Sequence, residues 1–295
     1  MHFAIITILA FALQNLCCKE YGRRFPDTIY AQAVMTLAAT SIVTVIMAAL
    51  GGVQPLTAEG YAVAIAFGIF FVMTLSVMTI AMNCGHVGVT LLIQNSSLLV
   101  PTIFGMLVWN ERLTLVKGIG VVCILITLAL SAGDASAPVD EATRRRWNKK
   151  RWMLFTGLSF LGDSVLNILH GLMSRLSATT GSITFTFWTS LTSVLVALGM
   201  IAFFRLRGEA RLLRREKLPA FAWTCAGIGL GTAGGNCFTI LSLTVLPSVI
   251  FYPLQQGALV LLMWLLGILI YREKASLLGK LMLAVGLAGL VLLNL

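Results

Sequence analysis

Charge is scarce in this chain: 11% of its 295 residues are charged, against 58% that are hydrophobic. A soluble fold of this size leaves roughly a quarter of its chain surface in water, more than so few charges can cover. Continuous apolar runs of about 20 residues are what a ~30 Å hydrocarbon core asks of a helix. These runs do not alternate in polarity, which excludes a membrane β-barrel. Histidine is rarer still, at His2, His86 and His170, so a His-rich metal site is not expected, nor is any other metal or cofactor. The six cysteines (Cys17, Cys18, Cys84, Cys123, Cys225 and Cys237) lack zinc-like or framework spacing and read as small apolar fillers of helix interfaces. There is no Walker loop, no GxGxxG after a strand, no HExxH and no GxSxG. Without an acid–base pair or a metal cluster no enzyme is expected, and without an ATP-binding domain transport must run on gradients or exchange. The N-terminus is apolar from Phe3, with no basic region and no small-residue cleavage site, and reads as a span rather than a removed signal.

What is present is a duplication. The stretch Gln94–Leu130 returns near the C-terminus at an offset of 162 positions (273 minus 111). That offset lays Gln94 on Gln256, Gly105 on Gly267, Trp109 on Tyr271, Glu111 on Glu273, Arg112 on Lys274 and Thr114 on Ser276. Matches that fall on the few non-aliphatic residues argue for an internal repeat. Ten spans can be drawn, at about 3–18, 29–50, 60–82, 87–109, 114–132, 152–172, 183–204, 219–241, 248–270 and 276–294. The fold expected is an all-α integral membrane protein of ten transmembrane helices. Residues 1–133 form one five-helix repeat, 134–151 a basic cytoplasmic linker and 152–295 the second repeat. Five is odd, so the second repeat must enter the membrane inverted relative to the first.

The net charge of +10 does not point to nucleic acid, because the bases sit at the ends of apolar runs. Eighteen of the 21 Lys and Arg residues fall on one side of the ten-span plan, and Arg112, Lys117 and Arg175 on the other. The rich side is expected in the cytoplasm, with both termini outside, in a plasma membrane. The basic stretch 205–217 sets topology, or lies as an amphipathic helix on anionic lipid. Gly227, Gly231 and Gly235 share one face of the eighth span, as a packing seam or as a substrate wall.

Of eleven acidic residues, ten sit in loops or at helix ends, and the exception is Asp163. It lies eleven residues past Trp152, which at 1.5 Å per residue is ~17 Å into the membrane. A carboxyl there costs at least ~2.5–3.5 kcal/mol on insertion scales, so it must face a cavity or a partner. Asn167 and His170 follow on the same helical face. This stripe fits a substrate's positive group, or proton coupling through Asp163, or mere glue between helices. In the fourth span Thr90, Gln94, Ser97 and Pro101 share a face, and the ninth has Tyr252 and Gln256 at the equivalent positions, with Gln255 and Pro253 beside them. Polar side chains aimed inward from duplicated helices can line a pseudo-symmetric cavity, or bond helix to helix. Gln14, Asn15 and Asn236 are further candidates of this kind. The ends Trp109–Arg112 and Tyr271–Lys274 read as interfacial anchors.

The segment ends VWNERLTLVKGIG and IYREKASLLGKLM, with Lys19 closing the first span, resemble the drug/metabolite transporter superfamily in its ten-helix EamA-like branch. The resemblance implies a five-plus-five inverted fold, a central cavity and alternating access. It implies export of amino acids, other metabolites or toxic organic cations, or import or exchange of solutes. The small four-helix cation exporters of that superfamily use a Glu in their first helix, where this chain has only Gln14 and Asn15. The function expected is a secondary transporter of a small polar or amphipathic organic solute. The alternatives are a proton-coupled exporter of lipophilic cations and, from another class, a lipid-handling or scaffolding membrane protein. The partners expected are a small-molecule substrate and the lipid bilayer, with the protein a monomer or homodimer.

Overall fold

The computed structural model describes residues 2–25, 28–84, 93–94, 96–134, 149–208, 218–271 and 277–294. Among them the chain is helical, with no strand. The helices are α1 (His2–Arg24), α2 (Ile29–Ala49), α3 (Ala58–Cys84), α4 (Leu99–Val108), α5 (Leu115–Asp134), α6 (Lys149–Thr180), α7 (Ser182–Leu206), α8 (Leu218–Val245), α9 (Ser248–Tyr271) and α10 (Leu277–Asn294). Five of them, α2, α3, α6, α7 and α8, are long and apolar enough to cross a membrane. The others carry shorter apolar runs.

The breaks between helices have local causes. Thr28 caps α2 by accepting from the Ala31 N–H at 3.2 Å. Gly181, at φ +78°, is the single residue between α6 and α7 and turns the chain in a conformation that a side chain would strain. Ahead of α4 the backbone tightens into a 3-10 turn at Ser96–Leu98. Pro101 follows four residues after Ser97 and has no N–H to offer the Ser97 carbonyl, which favours the tighter turn. The continuous α-helical face drawn from Thr90 to Pro101 is therefore interrupted at Ser97. Thr90 itself, residues 209–217 of the basic stretch, and Arg272, Glu273, Lys274 and Ser276 lie outside the described residues.

The chain divides into two compact units, Met1–Thr79 with Leu169–Thr244, and Ile80–Ile168 with Val245–Leu295. In the first, α1 lies against α8 at the glycine seam. A Cβ on Gly231 would sit 2.6 Å from the Ala10 carbonyl oxygen and 2.7 Å from the Gln14 nitrogen, so only glycine allows this approach. Gly227 faces Cys17 and Gly235 faces the Phe11 ring. The seam reading holds, and Cys17 and Cys225 fill an apolar cluster there with Tyr21, Phe25 and Ile228. Helix α7 runs antiparallel to α2: Thr44 donates to Ser190 at 2.9 Å, and Gly52 lies against Ile183 and Phe187.

In the second unit α5 and α10 are antiparallel partners. Gly120 meets Leu293, and Cys123 and Ile124 meet Gly289. Buried hydroxyls in both units are mostly satisfied within their own helix. Thr40, Thr102, Thr127 and Thr232 each donate to the carbonyl four residues earlier.

Candidate substrate site

Helix α6 carries the chain's acidic residue at membrane depth, and the second unit builds a hydrogen-bonded cluster around it. The Ser97 hydroxyl, in the 3-10 turn, donates to Asp163 Oδ2. The Asn167 amide, one turn along α6, donates to the same oxygen at 3.4 Å. From α9 the Tyr252 hydroxyl donates to the Asn167 backbone carbonyl. Ser97 and Tyr252 are 0% and 1% exposed, so both donors are spent inside the protein. Among the described residues no Lys, Arg or His is bonded to the carboxylate. A half-buried acid held only by neutral donors suits a proton or a cationic group.

Other expected residues fall at varied distances from this chemistry. Gln94, three residues before Ser97, buries its Oε1 without a partner among the described residues. Gln255 and Gln256 are half-buried on α9 and make no hydrogen bond among the described residues. Gln14, Asn15, His170 and Asn236 belong to the first unit. There the His170 ring meets Phe67 edge-on at 4.6 Å, and its Nε2 is buried without a partner among the described residues. His170 thus bonds to neither member of the Asp163–Asn167 pair that shares its helical face. Gln14 lines a small cleft with Cys18, Thr36, Thr40, Phe71 and Thr232, and Asn236 is buried while Asn15 is exposed. The cleft's free volume of about 20 Å³ suits a single water.

Two features were missed in the sequence. Thr156 and Ser159 precede Asp163 on the same face of α6, and their hydroxyls are buried without partners among the described residues. Their i, i+3, i+7, i+11 spacing with Asp163 and Asn167 was a readable signal. The second is Glu111. Its carboxylate accepts from the Ser248 hydroxyl at 2.6 Å and the Val249 N–H at 3.1 Å, capping α9 from another element. Asn110, at φ +53°, turns the chain so that the Trp109 and Glu111 N–H groups both reach the Gly105 carbonyl. Gly105 has no room for a side chain, because a Cβ would strike Ser248 and lie 2.7 Å from Glu111 Oε2. The spacing of Gly105 and Glu111, repeated at Gly267 and Glu273, was the clue available.

Helices of this length and apolarity, with polar groups sunk among them, define a multi-pass helical membrane protein. Residues 1–133 match the model of the EamA-like transporter family, which is consistent with the drug/metabolite transporter superfamily. No curated protein matches the sequence. A solved crystal structure superposes with a TM-score of 0.74 at 15% sequence identity, covering 98% of this chain and 94% of its own. At that identity the likeness shows the fold alone.

Proposed function

We propose that this chain is a secondary transporter that moves a small polar or amphipathic organic solute across the plasma membrane by alternating access. The observation that carries the reading is Asp163, an acid deep in an apolar helix, held by neutral donors in a chain whose residues 1–133 match a transporter family. Asp163 handles the solute's charge or the coupling proton, and Ser97, Asn167 and Tyr252 orient it. Gln94, Gln255 and Gln256 complete the lining in this unit. Gln14, Asn15, His170 and Asn236 are proposed separately, as substrate-binding residues of the first unit.

The architecture proposed is two inverted five-helix repeats, at 1–133 and 152–295, joined by the linker 134–151. The family match ends at residue 133, which supports a repeat boundary there. The offset of 162 carries Leu115 onto Leu277, the first residues of α5 and α10, and those two helices pack antiparallel. Antiparallel packing of equivalent helices is what an inverted repeat requires. Helices α2 and α7 are a second such pair. The basic loops face the cytoplasm, the termini face outside, and the protein works as a monomer or homodimer.

The test is uptake and counterflow in vesicles reconstituted with the purified protein, across imposed proton and solute gradients. The solutes are neutral amino acids, nucleobases, nucleosides, polyamines and quaternary ammonium compounds. Movement of one class, altered in Asp163→Asn, is the result expected. No movement of any solute under any gradient would sink the reading in favour of a scaffolding or lipid-handling protein.

A further inference from the structure

The hydrogen-bond accounting of the Asp163 cluster points to one kind of ligand. The cluster's hydrogen bonds run Ser97 O–H and one Asn167 N–H to Asp163 Oδ2, and Tyr252 O–H to the Asn167 carbonyl. The carboxylate itself keeps an unfilled acceptor. Asp163 Oδ1 and Asn167 Oδ1 make no hydrogen bond among the described residues, and Gln94 Oε1 is buried without one. The orientation of the Asn167 amide is fixed by the carboxylate, since the flipped amide would set oxygen against oxygen. Tyr252 is the ionisable side chain bonded into the cluster. The bases of α6 (Lys149, Lys150, Arg151, His170 and Arg175) lie farther along that helix in either direction, none bonded to Asp163 among the described residues. In a medium of low dielectric a carboxylate with no bonded cation is costly until a donor-bearing cation occupies the site.

We infer that the group this cluster takes is an N–H-bearing cation, a primary or secondary ammonium on an otherwise neutral or apolar solute. The inference rests on reading the Asp163 cluster as the substrate site. A primary ammonium brings N–H donors to the unfilled oxygens of Asp163 and its bonded neighbour Asn167. A quaternary ammonium brings charge and no donor, and leaves those oxygens stripped of water and unpaired. An alcohol brings a single donor and no charge. A carboxylate meets like charge.

The test uses probes that share one alkyl chain: butylammonium, butyltrimethylammonium, butanol and butyrate, with sodium chloride as the inorganic cation. Each is titrated into the detergent-purified protein, and saturable binding is read by calorimetry with thermal shift in parallel. Butylammonium is expected to bind at least about tenfold more tightly than butyltrimethylammonium, as a site built for N–H donors requires. Asp163→Asn should abolish that preference and Ser97→Ala weaken it. The comparison of the two cations in the unaltered protein stands by itself if a variant does not fold. Equal binding of both cations, binding of sodium that displaces butylammonium, or a preference that survives Asp163→Asn each overturns the inference. The transporter reading fails separately. Ammonium binding without movement of any solute in vesicles removes transport and keeps the ligand class. Movement of an uncharged solute, undisturbed by Asp163→Asn, keeps transport and removes the ligand class.

Discussion

Asp163 is the side chain on which the proposed chemistry turns, and its neighbours can be ranked by what each holds. Ser97 donates directly to the Asp163 carboxylate and is 0% exposed, so its loss strips a charge-assisted bond in a water-free place. Ser97→Ala is expected to destabilise by roughly 1–3 kcal/mol, the cost of leaving a buried acceptor short of a donor. Tyr252→Phe removes a bond to a backbone carbonyl that the helix itself also serves, and should cost about 0.5–1.5 kcal/mol. Thermal or denaturant melting in one detergent checks the order, and a larger loss from Tyr252→Phe than from Ser97→Ala would reverse the ranking. The Asp163–Asn167 pair was legible in the sequence because i, i+4 spacing on a helix is local geometry. Ser97 sits 66 residues from Asp163, and no local rule joins them. Its own span reads as one α-helix until the 3-10 turn before Pro101 changes which way it points.

At the scale of elements, helix starts and small-residue seams carry the stability that can be tested. Glu111 caps α9 from outside that helix, and α9 carries Tyr252 one turn after Ser248. Glu111→Ala should cost roughly 1–2 kcal/mol, as loss of a cap does, with Glu111→Gln intermediate because its amide oxygen still accepts. Melting curves of the two variants, taken with Ser248→Ala, decide whether the cap or the charge matters. The sequence placed Glu111 at a helix end and read it as an anchor. A carboxylate after an aromatic looks the same whether it faces lipid headgroups or another helix's N-terminus. The glycine seam was more legible, since its spacing of four already fixes one face. Gly231→Ala forces a Cβ onto the α1 backbone and should lose about 1–3 kcal/mol, as overpacking does. Gly157→Ala on α6 meets nothing within 4 Å and is expected to lose nothing. Equal melting of the two glycine variants would mean that the seam closes by other contacts.

At the scale of the whole molecule, composition alone made the membrane class legible, and the offset of 162 suggested two equivalent halves. What the sequence left open was how the helices of the two proposed halves meet, because that depends on long-range packing. The antiparallel pairs α5–α10 and α2–α7 supply the geometry that an inverted plan needs, and sidedness is its measurable consequence. With cysteines of the native chain removed, single cysteines at Gln54 and Arg207 report the loops after α2 and α7, both exposed positions. These loops follow equivalent spans, so an inverted repeat puts them on opposite faces of the membrane and a direct repeat puts them on the same face. The scarcity of bases near Gln54 and their density after Phe204 predict which face is which. In intact cells a membrane-impermeant maleimide should label the cysteine at Gln54 and spare the one at Arg207 until the membrane is opened. The reverse pattern keeps the inverted plan and turns the protein over. Labelling of both from one side breaks the inverted plan, and with it the argument that a single acidic residue serves a site reached in turn from each face.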